Sequence, residues 1–183
     1  MNRRGQTLEI IPKNSVGLEI GVWKGEFSEA LLNVVKPKKM FLVDPWKYIP
    51  MSKDGKKDYS DRWYGGSFAK NQDDMDNIYK QVMERFRDVE QILVVREFSS
   101  NLKKHINSNS LDWCYIDGNH SYEYVLEDLR ISLELCKENS LIIGDDYDNS
   151  EEIRQAVKDF ITNHAAIKRC TIIEGQFILN IQK

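Results

Sequence analysis

Short apolar runs alternate with amphipathic helical patterns along most of this sequence. The apolar runs cover residues 16–21, 39–43, 91–95, 111–116 and 141–143. Because each is followed by a helical pattern, the alternation predicts β-α units wound about a parallel sheet. Two last runs, 170–173 and 177–181, stand too close together for a crossover connection and must form an antiparallel hairpin. The predicted fold is a doubly wound α/β sheet of seven strands, mostly parallel, with one antiparallel strand from the C-terminal hairpin.

Length, charge and cysteine content narrow the class of protein. The chain has 183 residues, of which 41% are hydrophobic, and this suits one domain over residues 1–183. A net charge of −3 argues against a nucleic-acid partner bound through bulk positive charge. No apolar run approaches the ~20 residues of a membrane span, so we expect no membrane contact. Three scattered cysteines without a Cys-x-x-Cys pair predict free thiols and a cytoplasmic protein.

A polar but aromatic-rich segment interrupts the regular alternation at about residues 46–72. Its aromatic residues are Trp46, Tyr48, Tyr59, Trp63, Tyr64 and Phe68. An irregular connection of this length is usually functional, and aromatic faces stack well on sugar rings and phenols. We therefore predict a lid-like insertion over a bound acceptor; the alternative is a small satellite core that only packs the segment down.

The loop after the first strand carries the pattern Glu-x-Gly-x-x-x-Gly, formed by Glu19, Gly21 and Gly25. It differs from the G-x-G-x-x-G spacing of dinucleotide-binding loops, and its carboxylate would repel a pyrophosphate. A carboxylate suits a ligand with an ammonium group, which favours S-adenosylmethionine over NAD; the alternative is an ordinary strand-to-helix turn. Asp44 ends the second strand 19 residues after Gly25, where an acid typically accepts hydrogen bonds from ribose. A turn-forming aspartate before Pro45 is the alternative for Asp44.

The chain resembles class I S-adenosylmethionine-dependent methyltransferases, which have a Rossmann-like fold. Residues 17–28, with the sequence GLEIGVWKGEFS, resemble the first motif of that superfamily, and residues 42–46, LVDPW, resemble its ribose motif. Residues 115–123, YIDGNHSYE, followed by residues 143–147, IGDDY, resemble the macrocin-type and novobiocin-type sugar O-methyltransferases, which depend on a metal. The resemblance covers residues 15–183.

The resemblance implies roles for individual residues. Glu19, Gly21 and Gly25 would line the methionine part of S-adenosylmethionine, and Asp44 would hold its ribose. Phe98 and Ser99, after the third strand, would border the adenine ring. A helix N-cap is an equally sensible role for Ser99.

Three acids, Asp117, Asp145 and Asp146, end the fourth and fifth strands. In the strand order of the superfamily these strands are neighbours, so the three carboxylates would converge and repel one another without a cation. Oxygen ligands suit a hard divalent cation, and we expect Mg²⁺. The metal-dependent O-methyltransferases have acids at these positions. A bound cation would lower the pKa of the acceptor hydroxyl and orient it.

The general base is less well defined by the sequence. The sugar methyltransferases have an aspartate at the position of Asn119, which cannot act as a base. His120 lies three residues after Asp117 and has a suitable pKa, so His120 and Asp117 are the predicted catalytic residues. The alternative is that His120 only begins a helix that Asn119 caps.

Together these features predict metal-assisted O-methylation of a small hydroxylated acceptor, either a sugar or a phenol-like molecule. The alternatives are a metal-independent methyltransferase and a non-catalytic protein that binds S-adenosylmethionine. The loop spacing disfavours an NAD-dependent oxidoreductase. The sequence leaves the oligomeric state open.

Overall fold

A seven-stranded sheet forms the centre of the computed structural model, which describes residues 4–49 and 69–183. The strands are β1 (Val16–Ile20), β2 (Lys39–Asp44), β3 (Ile92–Arg96), β4 (Leu111–Ile116), β5 (Cys136–Gly144), β6 (Ile167–Ile173) and β7 (Gln176–Ile181). Their order across the sheet is β3-β2-β1-β4-β5-β7-β6. All neighbouring pairs are parallel except β5–β7 and β6–β7. The predicted fold, with β7 as its one antiparallel strand, is confirmed.

Helices cover both faces of the sheet. They are α1 (Gly5–Ile10), α2 (Glu26–Val35), α3 (Gln72–Arg85), α4 (Tyr122–Leu135) and α5 (Glu151–Asn163), with a short 3₁₀ helix at Ser99–Lys104. Apolar residues of α1, α2 and α3, such as Leu8, Leu31 and Met75, share one buried cluster. Those of the 3₁₀ helix, α4 and α5, such as Leu102 and Leu129, share a second cluster. Each face of the sheet therefore has its own hydrophobic core. Within residues 4–49 and 69–183, no helix has both the length and the apolar character that crossing a bilayer requires.

A tight turn at Glu174 and Gly175 joins β6 to β7. Both residues have positive φ angles, 52° and 82°, and Ile173 pairs directly with Gln176. Two consecutive positive φ values are characteristic of the two-residue turns whose twist matches that of a hairpin. This turn reverses the chain and brings β7 against β5.

The direction of winding reverses at β1, which lies between β2 and β4. Ligands of doubly wound sheets bind outside the carboxyl ends of the strands at such a switch point. The loops that follow β1, β2, β4 and β5 therefore define the region in which a site is expected.

Two aromatic residues of the predicted lid lie within the described part of the chain. Trp46 is fully buried, its ring centroid is 5.1 Å from that of Tyr79, and its Nε1 donates to the carbonyl oxygen of Trp23 at 2.8 Å. Tyr48 packs against the same core. Trp46 is thus a core residue and is not available to stack on an acceptor. Tyr59, Trp63, Tyr64 and Phe68 lie outside the described residues, and the lid itself stays a prediction.

Candidate active site

Gly21 allows the chain to leave β1 directly against the end of β4. Its φ is +91°, and a Cβ at this position would lie 2.1 Å from the backbone oxygen of Asp117. Its amide donates to the carbonyl oxygen of Val43 at 2.9 Å. Only glycine fits this combination of positive φ and close backbone approach. Gly25, also predicted here, has a φ of +77°, precedes α2 and faces the ring of Phe86.

A cavity of about 380 Å³ lies over this loop, a size within the range of small-molecule sites. Predicted residues that line it include Glu19, Gly21, Asp44, Phe98, Ser99 and Asp117, joined by His120 and Asp146. The structure thus brings together in one cavity residues from the ends of five strands, β1 to β5.

Glu19 and Asp44 are acids whose oxygens are held by the protein itself. Glu19 is buried and accepts a 2.5 Å hydrogen bond from the hydroxyl of Ser28. Burial raises the pKa of Glu19 to about 8, although this hydrogen bond opposes the shift. The two oxygens of Asp44 accept from the amides of Trp23 at 3.0 Å and Trp46 at 2.7 Å. Burial also raises the pKa of Asp44, against the effect of these amides. Asp44 is therefore fixed at the cavity wall, with lone pairs left on each oxygen.

Asp117, His120 and Asp146 form a compact cluster at the edge of the cavity. The His120 Nε2 atom lies 3.8 Å from an Asp117 oxygen and 3.6 Å from an Asp146 oxygen. One ligand atom of each residue lies within 4.8 Å of the other two. All three side chains are largely buried. This arrangement can bind a divalent cation or hold a proton between an imidazole and two carboxylates.

Asp145, the third predicted metal ligand, is not part of this cluster and contacts Arg4 and Gln176 instead. One of its oxygens accepts from the Arg4 guanidinium, and the other accepts from the Gln176 side-chain amide at 3.2 Å. Burial, together with the nearby charge of Asp117, raises the pKa of Asp145, and Arg4 opposes the shift. The structure therefore gathers Asp117 and Asp146 around His120, and it pairs Asp145 with Arg4, which also contacts Asp117.

Arg4 was not expected at the site. Its guanidinium lies 2.9 Å from Asp117, contacts Asp145 and stacks over the Phe27 ring at 4.4 Å. Burial works against the charge of Arg4, but the two carboxylates outweigh it and raise its pKa. The three acids at the strand ends were expected to need a positive charge nearby. At Asp117 and Asp145 the guanidinium of Arg4 supplies it. No local pattern marks Arg4, because its partners lie more than 110 residues away.

The turn before α4 differs from the expected helix cap. The side-chain oxygen of Asn119 accepts from both the amide and the hydroxyl of Ser121, each at 2.8 Å. Ser121 is the N-cap residue, and α4 begins at Tyr122. Asn119 therefore shapes a turn in front of the helix, and this turn leaves His120 beside Asp117 and Asp146.

The other end of the cavity lies on the face of the sheet covered by the 3₁₀ helix and α4. Phe98 and Ser99 line this end, and the Ser99 hydroxyl lies close to the carboxyl group of Asp128. Asp128 lies on α4, is only 4% exposed and also lines the cavity. Burial raises its pKa to about 7, with Ser99 opposing and Glu127 adding to the shift. Sequence reasoning missed Asp128 because it resembles any polar residue within a helix.

Comparison with known proteins identifies the family. Residues 18–147 match the family model described as a methyltransferase domain. No curated protein sequence matches the chain.

Three solved structures illustrate the likeness of fold. The O-methyltransferase NovP is 15% identical with a TM-score of 0.70, and the match covers 99% of this chain and 80% of NovP. A putative S-adenosyl-L-methionine-dependent methyltransferase from Methanococcus maripaludis is 12% identical with a TM-score of 0.66, covering 99% and 83% of the two chains. A putative methyltransferase from Streptococcus mutans, in complex with SAH, is 10% identical with a TM-score of 0.62, covering 100% and 98%.

The doubly wound sheet with a cavity at its switch point is a Rossmann-like architecture, and the three methyltransferase structures share this fold. The chain belongs to the methyltransferase-domain family, whose model matches more than half of its length.

Proposed function

We propose that this enzyme transfers a methyl group from S-adenosylmethionine to a hydroxyl oxygen of a small sugar or phenol, and that it does so in the cytoplasm. The observation that carries the proposal is the cluster of Asp117, His120 and Asp146, which lies on the wall of the same cavity as Gly21 and Asp44. The proposed cofactor subsite and a group of proton-binding or metal-binding side chains therefore share one cavity.

The residues of the cavity suit S-adenosylmethionine. The loop turns tightly at Gly21, which packs against Asp117 and lines the cavity, and Asp44 presents a fixed carboxylate where a ribose is expected. Glu19 adds a second acid near the loop; its pKa of about 8 in the free protein would fall beside the ammonium group of the bound molecule, which favours the carboxylate. When bound, S-adenosylmethionine supplies the methyl group as part of a sulfonium cation. The protein's contribution is to orient the acceptor oxygen and to remove its proton.

Asp117, His120 and Asp146 also suit a divalent cation, since they offer two carboxylates and one imidazole. The imidazole widens the choice from Mg²⁺ to first-row ions such as Fe²⁺. When bound, such a cation would lower the pKa of the acceptor hydroxyl. Asp117 and Asp146 would hold it from two strand ends, while Asp145 would stay with Arg4 and Gln176.

The position of Arg4 favours a second candidate, metal-independent methyl transfer. Its guanidinium already balances the charges of Asp117 and Asp145, which removes one reason for a cation there. In this candidate the imidazole of His120 accepts the proton of the acceptor hydroxyl. Asp117 and Asp146, at 3.8 and 3.6 Å from Nε2, would then stabilise the imidazolium.

Calorimetric titration with S-adenosylhomocysteine tests the choice of cofactor, with NAD as the control. We expect micromolar affinity, equivalent to about −8 kcal/mol, for S-adenosylhomocysteine alone. A folded protein that binds no S-adenosylhomocysteine would contradict the proposal.

Transfer of radiolabelled methyl groups to a panel of sugars and phenols, with and without a chelator, then separates the two candidates. Activity lost on chelation and restored by Mg²⁺ or Mn²⁺ supports metal assistance. Activity that survives chelation supports the metal-independent route.

A further inference from the structure

Two buried cysteines, Cys114 of β4 and Cys136 at the start of β5, lie side by side in the core, and neither lines the cavity. Their sulfur atoms are 3.5 Å apart, and both side chains are fully buried. They lie 22 positions apart in the sequence, so the spacing of the cysteines gives no sign that they meet. A disulfide bond is about 2.05 Å long, so the sulfurs would need to approach by only about 1.5 Å to form one.

The strand pairing beside Cys136 is irregular. Two successive pairs of the ladder between β4 and β5, Leu111–Cys136 and Trp113–Leu141, are separated by one residue on β4 and by residues 137–140 on β5. A bulge of this kind interrupts the ladder of hydrogen bonds, and the middle of this bulge is exposed. Local opening of the bulge therefore gives the two thiols room to approach, and it gives a small molecule a path to Cys136.

Cys136 is the more reactive of the two thiols. The contact with the Cys114 thiol lowers the pKa of Cys136, and Ser140 and the Lys183 ammonium act in the same direction, against the effect of burial. Burial raises the pKa of Cys114 well above its ordinary value. Lys183 also donates to the carbonyl oxygen of Cys136 at 2.6 Å, which keeps a positive charge beside this residue. Because the thiolate is the nucleophile, Cys136 attacks an oxidant first while Cys114 keeps its proton.

We propose that Cys114 and Cys136 form a dithiol site that a hydroperoxide oxidises reversibly to an internal disulfide. The Cys136 thiolate attacks an oxygen of the hydroperoxide and the O–O bond breaks. The product is a sulfenic acid on Cys136, and the other oxygen leaves as water or an alcohol with the proton that Cys136 released. The Cys114 sulfur then attacks the Cys136 sulfur, the S–O bond breaks, and water leaves with the proton of Cys114. Two thiols thus lose two electrons to one hydroperoxide.

The burial of both sulfur atoms selects a small oxidant. Hydrogen peroxide needs only a local opening, whereas a bulky disulfide such as oxidised glutathione needs much more of the strand pair to separate. The neighbouring thiol decides the product. A sulfenic acid without a partner is oxidised further to an irreversible sulfinic acid, but Cys114 converts it to a disulfide that thiol reductants reverse. The pair therefore protects a core thiol from irreversible oxidation, independently of methyl transfer.

The test uses the full chain with Cys170→Ser, which removes the exposed third thiol. The folded protein is treated with hydrogen peroxide, quenched with catalase, unfolded, alkylated and measured by intact-mass spectrometry. We expect a loss of about 2 Da, no alkylation of either cysteine and a peptide in which Cys114 and Cys136 are linked. Dithiothreitol should restore both thiols.

The matched variants are Cys114→Ser and Cys136→Ser in the same background. Without Cys114, Cys136 should gain about 32 Da as a sulfinic acid, which dithiothreitol does not reverse. Without Cys136, Cys114 should react about tenfold more slowly or less, because its thiolate is disfavoured. If the Cys170→Ser protein stays fully alkylatable, or gains oxygen without forming the internal bond, the proposal is overturned whether or not the variants fold. A disulfide between two molecules in place of the internal one would overturn it too.

Discussion

The backbone geometry of the site requires a glycine at position 21. Its φ of +91° and the 2.1 Å approach to the Asp117 oxygen leave no space for a methyl group. We expect Gly21→Ala to lower the free energy of unfolding by about 3 kcal/mol or more and to abolish binding of S-adenosylhomocysteine. Urea denaturation and calorimetry measure the two effects.

Gly5 offers the matched control, since a Cβ there meets nothing within 4 Å. Gly5→Ala at the start of α1 should keep cofactor affinity and leave stability unchanged or slightly higher. Equal behaviour of the two variants would contradict the steric role of Gly21.

His120 is the residue that distinguishes a metal ligand from a general base. If its imidazole binds the cation with Asp117 and Asp146, His120→Ala should weaken Mn²⁺ binding at least tenfold. The affinity for S-adenosylhomocysteine should hardly change. Calorimetry with Mn²⁺ measures this, and His105→Ala, which removes an exposed histidine at the end of the 3₁₀ helix, is the control. Unchanged Mn²⁺ affinity in His120→Ala would remove His120 from the ligand set.

Asp128 predicts a specific dependence of stability on pH. Its pKa is about 7 in the folded protein and near the ordinary 3.8 in the unfolded chain. The folded state therefore keeps the proton to higher pH, so the wild type loses stability as pH rises from about 4 to about 7. Asp128→Asn has no such proton to lose. Relative to the wild type it should gain about 2–4 kcal/mol between pH 4 and pH 8.

Urea midpoints at several pH values measure this gain. Glu138→Gln, which changes an exposed acid of β5 away from Asp128, should follow the wild type at every pH. A constant difference between Asp128→Asn and the wild type would show that burial does not shift this carboxyl.

At the scale of elements, α1 brings a cation into the site. The first turn of α1 contacts the C-terminal hairpin, because the Gln6 side chain donates to Glu174 at 3.2 Å. Leu8 of the same helix packs into the core. Arg4 just before it reaches Asp117 and Asp145. A guanidinium at these carboxylates repels a divalent cation and occupies their lone pairs. We expect Arg4→Gln to raise Mn²⁺ affinity by about tenfold or more.

Lys13→Gln is the control for Arg4→Gln, since Lys13 is exposed and contacts only Glu9, at 3.8 Å, among the ion pairs of the described residues. Mn²⁺ titration followed by calorimetry compares the two variants with the wild type. An unchanged affinity in Arg4→Gln would mean that Arg4 and the cation do not compete.

The elements themselves were largely predictable from the sequence. Strand β4 follows from an apolar run that only Asp112 interrupts, and helix α4 follows from a 3.6-residue period. β5 was predicted only over residues 141–143 but spans Cys136–Gly144. Its first half, at residues 137–140, is polar because part of it lies at the surface. Helix α1 was missed because it has only six residues and no side-chain cap, so its position depends on packing against the rest of the chain.

At the scale of the whole molecule, the sequence predicted which strand ends meet but not how their side chains pair. Glu19, Gly21, Asp44 and Asp117 reach one cavity because parallel strands end at the same edge. The ion pair between Arg4 and Asp145 joins residues 141 positions apart. No periodicity encodes such a contact. The same holds for the proximity of Ser99 to Asp128, which requires the 3₁₀ helix to pack on α4.

The loops that line the cavity follow several strands, and residues from both faces of the sheet contribute to its wall. A ligand bound there should therefore stabilise the whole molecule. S-adenosylhomocysteine at 100 times its dissociation constant should add about 2.7 kcal/mol to the free energy of unfolding. For a chain of this length that corresponds to a rise in Tm of about 5–10 °C. Differential scanning calorimetry measures the rise, and NAD at the same concentration should leave Tm unchanged. We expect a single unfolding transition whose Tm rises with S-adenosylhomocysteine. The reason is that the loops after β1, β2 and β4 would connect the ligand to both faces of the sheet. Two transitions, only one of them shifted, would contradict this coupling.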